Sequence, residues 1–241
     1  AANTIGALGV AGNVTAVTID ATTKLTTAAI TAAKGATLTI TGAGAVDLNS
    51  DALPATFLTI DGSASTGDID LAAGAVAKQA KEANAAITIT TGAGNDDITT
   101  SSIAADRHIK IDAGAGDDVI ITSATVSGSG VGQVIGVSSS TVHGDVIDGG
   151  AGTDILSVSS VKGGAQAATT SISNIEELTI SDALTAVTIT TKNFQSGIST
   201  VNLDAGSSGA GTIAFEAGSN TVDVKAALGA ALTVSAAGTA T

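Results

Sequence analysis

Short segments in which apolar residues alternate with threonine recur along the whole chain, and most of them end at aspartate or glycine. Early examples are Val17-Thr18-Ile19-Asp20, Leu38-Thr39-Ile40-Thr41-Gly42 and Leu58-Thr59-Ile60-Asp61-Gly62. Later copies lie at 87–89, 109–112, 146–149, 178–180 and 201–204. Strict alternation predicts β-strands with one buried face, and the terminal aspartate or glycine predicts a turn.

The spacing of these segments predicts how the strands are arranged. Their last apolar residues are Ile19, Ile40, Ile60, Ile89, Ile111, Ile147, Ile180 and Leu203, which gives steps of 21, 20, 29, 22, 36, 33 and 23 residues. Four of the seven steps lie between 20 and 23, and the longer ones resemble one period plus an insertion. A repeat of this length predicts a stacked solenoid, in which each coil buries its apolar face against the next.

Two all-β architectures have regularly spaced strands and turns of this kind. An antiparallel sandwich is one of them. The lack of Asn-Gly hairpin signals and the return of the same turn on the same side favour the other, a parallel β-helix or β-roll solenoid. We therefore predict that residues 1–241 form one solenoid segment, and the lack of an initiator methionine indicates a piece of a longer protein.

Two segments interrupt the strand pattern. Residues 71–86 are rich in alanine and carry Lys78 and Glu82 four positions apart, which predicts a short helix inserted between coils. Residues 123–144 are rich in serine, glycine and valine and predict a loop or an irregular coil.

The composition restricts both the core and the kinds of site. The chain has no Trp, Tyr, Cys or Met and only three Phe, so the core must be built from Val, Ile, Leu, Ala and Thr. Without cysteine there is no disulfide framework, and the scarcity of aromatic residues argues against a drug-sized ligand pocket. No apolar run approaches the 18 residues of a membrane span, so no membrane insertion is expected.

The charge balance and the few histidines argue against nucleic-acid binding and against catalysis. The formal net charge is −13, which repels nucleic acid and attracts cations. The two histidines are His108 and His143, with Asp106 and Arg107 beside the first, and nothing in the sequence places a Ser-His-Asp set. One arginine and eight scattered lysines also suit an acidic-polysaccharide lyase poorly. We therefore expect a protein that is not an enzyme.

Three segments match the calcium nonapeptide G-G-x-G-x-D-x-U-x. They are Thr91-Gly92-Ala93-Gly94-Asn95-Asp96-Asp97-Ile98, Ala113-Gly114-Ala115-Gly116-Asp117-Asp118-Val119-Ile120 and Gly149-Gly150-Ala151-Gly152-Thr153-Asp154-Ile155-Leu156. Only the third has both leading glycines. A single copy would be explained as an ordinary Gly-Asp turn without a metal, whereas three copies in register within 87–158 favour calcium.

The residue types of the motif suit a calcium ion. Calcium binds six to eight oxygens, and glycine lets successive carbonyls of a turn face one space. The predicted side-chain ligands are Asp96, Asp118 and Asp154. The predicted backbone ligands are Gly92, Gly94, Gly114, Gly116, Gly150 and Gly152, and further candidates flanking the motifs are Asp112, Asp145 and Asp148. Because the copies lie 22 and 36 residues apart rather than nine, ions held singly between neighbouring coils are favoured over a filled ladder.

These residues carry a family resemblance. The segments GAGNDDI, GAGDDVI and GGAGTDIL resemble RTX-type repeats, and the Thr/Ala-rich, cysteine-free background with Ile172-Ser173-Asn174-Ile175-Glu176-Glu177-Leu178-Thr179-Ile180 looks like Gram-negative surface-layer proteins. The resemblance implies type I secretion, folding on Ca²⁺ outside the cell and assembly with copies of itself into a two-dimensional lattice. It also implies a cell-surface anchor, contacted through a part of the protein outside this sequence.

Three functions are compatible with this sequence. The leading hypothesis is a structural, calcium-stabilised component of an extracellular surface layer. The alternatives are the stalk of a secreted RTX adhesin and the calcium-dependent carrier portion of a secreted hydrolase.

Overall fold

The computed structural model describes residues 2–34, 37–48, 53–54, 56–73, 86–100, 108–122, 146–166 and 172–237. In this part of the chain the protein is an all-β solenoid whose strands pair in parallel, which confirms the predicted fold class. Asp106, Arg107, His143, Asp145, the side chain of His108 and the segment 123–144 lie outside the described residues. None of the described helices is both long and apolar enough to cross a membrane.

Twenty strands form the described part of the solenoid. They are β1 (Asn3–Val10), β2 (Ala16–Asp20), β3 (Leu25–Ala32), β4 (Thr37–Gly42), β5 (Val46–Leu48), β6 (Thr59–Ser65), β7 (Ile69–Ala72), β8 (Ala86–Thr90), β9 (Asp97–Thr100), β10 (His108–Asp112), β11 (Val119–Thr122), β12 (Val146–Asp148), β13 (Ile155–Val158), β14 (Ile172–Ser173), β15 (Glu177–Ile180), β16 (Thr188–Thr190), β17 (Thr200–Leu203), β18 (Gly211–Phe215), β19 (Thr221–Val224) and β20 (Leu232–Ala236).

The strands alternate between sheets along the chain. The odd-numbered strands from β1 to β19 form a ten-stranded sheet in sequence order, and the even-numbered strands from β2 to β14 form a seven-stranded sheet. The strands β16, β18 and β20 form a separate three-stranded sheet. Each coil therefore contributes one strand to the ten-stranded sheet and a second strand to one of the other two.

The register explains the long steps of the repeat. In the ten-stranded sheet Asp97 pairs with Val119, which is 22 residues later, and Val119 pairs with Ile155, which is 36 residues later. The 36-residue step is therefore one coil enlarged between β11 and β12, as the spacing predicted. The 29-residue step is also one coil, because Ile60 pairs with Ile89.

Two other assignments of the repeat were wrong. Ile147 pairs with Ile172 of β14, whereas Ile180 lies in β15 of the ten-stranded sheet, so the predicted 33-residue step joins strands of two different sheets. The partner of Ile60 is Leu38 rather than Ile40, so the step between these strands is 22 residues and not 20. Strands of both sheets show the same apolar/threonine alternation, so periodicity alone does not distinguish them.

The core is a column of aliphatic side chains between the sheets. Leu38, Ile60, Ile98 and Ile120 are fully buried, and each lies one coil from a similar residue. All three phenylalanines are buried as well. Branched aliphatic side chains stacked on like neighbours fill a pleated surface without gaps, which is why the core needs few aromatic residues.

Helical structure is sparse in the described residues. A short helix, α1 (Ser160–Ala165), follows β13, and a 3₁₀ turn covers Thr191–Asn193. For the predicted insertion at 71–86, Leu71 and Ala72 belong to β7 and Ala86 begins β8, so no helix reaches these ends. Residues 74–85 lie outside the described residues.

Candidate metal centre

The three motif turns lie directly on one another. They connect β8 to β9, β10 to β11, and β12 to β13, which are neighbours in the two larger sheets. Backbone bonds join the turns, since Ala115 N–H donates to the Gly92 carbonyl at 2.8 Å and Ala151 N–H donates to the Gly114 carbonyl at 2.9 Å. The motif copies separated by 22 and 36 residues are thus brought together at one corner of three consecutive coils.

The glycine two residues before each motif aspartate permits this close stacking. Gly116 and Gly152 have φ angles of +134° and +154°, which L-residues with a side chain rarely adopt. A Cβ atom at Gly116 would lie 2.1 Å from the Gly94 carbonyl oxygen, and one at Gly152 would lie 1.8 Å from the Gly116 carbonyl oxygen. These glycines are therefore explained by backbone packing alone, whether or not their carbonyls bind a metal.

The motif aspartates form a column inside the corner. Asp96, Asp118 and Asp154 are each 0% exposed. An Oδ1 atom in each accepts a backbone N–H from the preceding coil: Asp96 from Ile69 at 2.7 Å, Asp118 from Asp96 at 2.7 Å, and Asp154 from Asp118 at 2.9 Å. Asp154 N–H in turn donates to Glu176 Oε2 at 2.9 Å. We call these three aspartates the inner column.

The same position is aliphatic in the preceding coils. Leu25 pairs with Val46, and Val46 pairs with Ile69. Because Asp70 pairs with Asp97, the residue before it, Ile69, is in register with Asp96. The inner column thus puts carboxylates where three earlier coils put apolar side chains. Burying a charged group in such a place is costly unless an opposite charge or hydrogen bonds compensate it.

A second ladder of side chains runs along the outside of the turns. Asn95 N–H donates to Asp68 Oδ1 at 3.0 Å, Asp117 N–H to Asn95 Oδ1 at 3.0 Å, and Thr153 N–H to Asp117 Oδ1 at 2.8 Å. These outer side chains are exposed. Because the two ladders satisfy successive backbone donors of each turn, the residue before each motif aspartate also has a structural role.

The inner column is left with two carboxylate oxygens that have no partner. Asp96 Oδ2 accepts the Gly92 N–H at 3.3 Å, but Asp118 Oδ2 and Asp154 Oδ2 are buried without a hydrogen bond. The ion pairs Lys192–Glu216 and Lys225–Asp204 do not involve the column. The buried negative charge is therefore uncompensated by any described basic side chain.

Burial has a large effect on the acidity of these groups. The pKa of Asp118 is raised to about 7, chiefly because burial removes its carboxylate from water. The hydrogen bond from the Asp96 N–H acts against this rise, and the neighbouring carboxylates of Asp96, Asp154 and Asp117 contribute to it. Desolvation also raises the pKa values of Asp96 and Asp154. The column therefore favours either a bound proton or a bound cation.

The donor chemistry fits calcium. The column offers only oxygen atoms, two of them buried and unpaired, and calcium takes oxygen ligands in irregular arrangements. Within the described ranges no three acidic or histidine side chains converge as a metal site. A calcium ion here would therefore be held by one or two carboxylates, with backbone carbonyls and water as the remaining ligands. The carbonyls of Gly92 and Gly114 already accept coil-to-coil bonds, so their role as ligands stays a prediction.

The flanking aspartates lie on the other side of the glycine corner. Asp112 and Asp148 are register partners at the ends of β10 and β12. Asp112 is exposed, and Asp148 Oδ1 accepts N–H groups from Gly150 at 3.2 Å and from the Asn174 side chain at 2.7 Å. Their contribution to metal binding also stays a prediction.

No protein-family model, curated protein or solved structure matches this chain. The assignment of a function therefore depends on the geometry of the site and on the resemblance of its motifs.

Two acidic features were not predicted from the sequence. Glu176 continues the inner column one coil further, although its turn lacks the glycine motif. The sequence feature that could have indicated this is its position 22 residues after Asp154, which is one coil of the repeat. On the outward face of the ten-stranded sheet, Asp47, Asp70 and Asp97 are register partners beside a shallow pocket of about 180 Å³ that Lys24 also lines. The grouping of these three aspartates depends on the register between neighbouring strands, which could not be predicted from the sequence.

Proposed function

We propose that this chain is a structural segment of an extracellular bacterial surface layer, stabilised by calcium and assembling with copies of itself. The observation that carries the proposal is the inner column, in which Asp118 and Asp154 each bury a carboxylate oxygen that has no partner. A divalent cation would neutralise the column, whereas without one the carboxylates repel each other across neighbouring coils.

The size of the effect supports a structural role for calcium. A site with a Kd near 10⁻⁴ M in about 1 mM calcium stabilises the folded state by roughly 1.4 kcal/mol, and three such sites by about 4 kcal/mol. Net stabilities of domains are about 5–15 kcal/mol. In the low calcium of a cell interior this contribution disappears, so the chain would be loose before export and rigid after it.

Self-assembly is supported by the ends of the stack. Among the described strands, β1 and β19 are the outermost of the ten-stranded sheet and each has one edge without a paired strand. Such edges are suited to pairing with another chain. Exposed apolar side chains lie toward both ends: Ile5 and Val14 at one, and Val224, Leu228 and Val234 at the other. An adhesin stalk would present the same edges to further coils of its own chain, and the experiment below separates the two functions.

The test is assembly of the purified 241-residue chain, observed by negative-stain electron microscopy. We expect ordered sheets in millimolar CaCl₂ and none in EDTA or in the same concentration of MgCl₂. Extended monomers in calcium would support the adhesin stalk instead. If calcium changes neither assembly nor the melting temperature, the proposed function is wrong.

A further inference from the structure

The turn that follows the third motif continues the inner column without the glycine pattern. Ile155 pairs with Glu177 and Leu156 with Leu178, a step of 22 residues, so Glu176 lies opposite Asp154. Glu176 Oε2 accepts the Asp154 N–H at 2.9 Å, as the Asp154 carboxylate accepts the Asp118 N–H at 2.9 Å. Glu176 is exposed, unlike the inner column, so its carboxylate closes the column on the solvent side.

Asn174 occupies the glycine position of this turn. The same 22-residue step places it opposite Gly152, and its φ of +53° is the one left-handed value among the described non-glycine residues. Its side chain donates to Asp148 Oδ1 at 2.7 Å. Asparagine tolerates this backbone conformation better than most residues, so the turn keeps the path of the motif turns without a glycine.

The Asn174 carbonyl oxygen and the unpaired oxygen of Asp154 both lie close to Gly149. A Cβ atom at Gly149 would lie 1.9 Å from the Asn174 carbonyl oxygen and 2.8 Å from Asp154 Oδ2. Both oxygens therefore border the same side of the Gly149 backbone. Asp154 is 0% exposed and its Oδ2 has no hydrogen bond, so a buried, unpartnered carboxylate oxygen points to this place.

The charges around this place are all negative. After burial and the opposing N–H bond from Asp118, the carboxylates of Glu176, Asp117 and Asp148 are the groups that raise the pKa of Asp154. Glu176 lies in the next coil, opposite Asp154. Asp148 lies at the end of β12, and the glycine turn separates it from Asp154. A cation that binds here would relieve the repulsion among groups from three neighbouring coils.

We propose that Asp154 Oδ2, the Asn174 carbonyl and the Glu176 carboxylate form a calcium site that closes the column, with water as further ligands. The inference rests on the proposed function, because it assumes that calcium is the cation of this protein. It adds a ligand set that the glycine motif does not contain: a turn reading Asn-Ile-Glu takes the place of Gly-x-Asp. The exposed Glu176 gives the ion a path to solvent, so this site should exchange calcium readily.

The test is calorimetric titration of the calcium-free 241-residue chain with CaCl₂, comparing wild type with Glu176→Gln. The glutamine keeps an oxygen that accepts the Asp154 N–H but removes the charge. Loss of outer-shell partners of a metal typically weakens binding by about 10–100-fold, and loss of a direct ligand should weaken one site at least as much. We expect one site to weaken by that factor or to disappear.

The matched control is Glu177→Gln, at the next residue. Glu177 Oε2 accepts the Asn202 side-chain N–H at 3.0 Å and is not part of the column, so its isotherm should equal that of wild type. Circular dichroism of both variants in calcium, compared with wild type, establishes that they fold. If wild type binds calcium and Glu176→Gln binds it equally, this inference is overturned and the proposed function stands. If wild type binds none, the proposed function fails and the inference with it.

Discussion

At the scale of single residues, the main feature is a carboxylate in a position that other coils fill with an aliphatic side chain. Asp96, Asp118 and Asp154 follow Leu25, Val46 and Ile69 along the same column. Each aspartate accepts a backbone N–H, but in Asp118 and Asp154 the second oxygen has no partner. A protein that needed only hydrogen-bonded turns could use asparagine here, so the charge itself requires an explanation.

Replacing Asp118 with Asn should have opposite effects with and without calcium. The amide oxygen can still accept the Asp96 N–H, while the buried charge is removed. Without calcium at pH 8 we expect a higher Tm than wild type, because a neutral group costs less to bury than a carboxylate. In 1 mM calcium we expect a Tm below wild type by less than about 3–6 °C, because the loss of a site worth roughly 1.4 kcal/mol is partly offset by the removal of the buried charge.

The control for this prediction is Asp117→Asn. Asp117 is exposed, and an asparagine there still accepts the Thr153 N–H. Its Tm should change less than that of Asp118→Asn in either buffer, because the exposed Asp117 acts on the column only through its charge. A Tm change of the same sign in both buffers for Asp118→Asn would contradict a metal role of the column.

The raised pKa values predict a pH dependence of the calcium-free protein. Because folding raises the pKa of Asp118 from an ordinary value near 4 to about 7, the folded state binds more protons than the unfolded state between these pH values. The free energy of unfolding should therefore fall as the pH rises from about 4 to 7, and stay low above it. Urea unfolding of calcium-depleted protein at pH 5 and pH 8 measures this. Greater stability at pH 8 would show that the carboxylates are compensated in another way.

At the scale of strands and turns, the glycine corner sets how closely the coils approach. Gly116 and Gly218 have similar φ angles, +134° and +146°, but only Gly116 has a neighbouring carbonyl where a Cβ would lie. A comparison of substitutions at these two glycines therefore distinguishes the cost of a positive φ from the cost of a clash between stacked coils.

Alanine at these two glycines should have unequal costs. Gly218→Ala should lower the free energy of unfolding by about 1–3 kcal/mol, the usual cost of an unfavourable backbone conformation. Gly116→Ala should cost roughly 2 kcal/mol more, because its Cβ would lie 2.1 Å from the Gly94 carbonyl oxygen and the coils must shift. Urea midpoints of the two variants provide the comparison, and equal costs would refute the role assigned to stacking.

Much of this architecture could be predicted from the sequence, because alternation and glycine turns specify parallel coils. The three motif turns were predicted to cooperate, and they do lie in consecutive coils. The sheet of each strand could not be predicted, since β14 and β15 both carry alternating apolar residues; this is why Ile180 was paired with the wrong sheet. Glu176 was missed because a side chain one methylene longer takes the aspartate position in a turn without glycines.

At the scale of the whole molecule, the ten strands of the longest sheet stack to about 43 Å at about 4.8 Å per coil. A formal charge of −13 on such a stack produces repulsion that folding must overcome. Part of that charge is buried at one corner, where screening by salt is weak. A divalent ion bound there would reduce the repulsion, and in the proposed function this would link the stability of the stack to the calcium concentration of its surroundings.

Diffraction from crystals grown in millimolar calcium, with anomalous differences recorded, tests the central claim most directly. We predict anomalous peaks about 2.3–2.6 Å from the Oδ2 atoms of Asp118 and Asp154, the usual calcium–oxygen distance. The contradicting result is a map in which the aspartates stack as described but no anomalous peak lies beside these two oxygens. The two oxygens would then contact only water or protein donors.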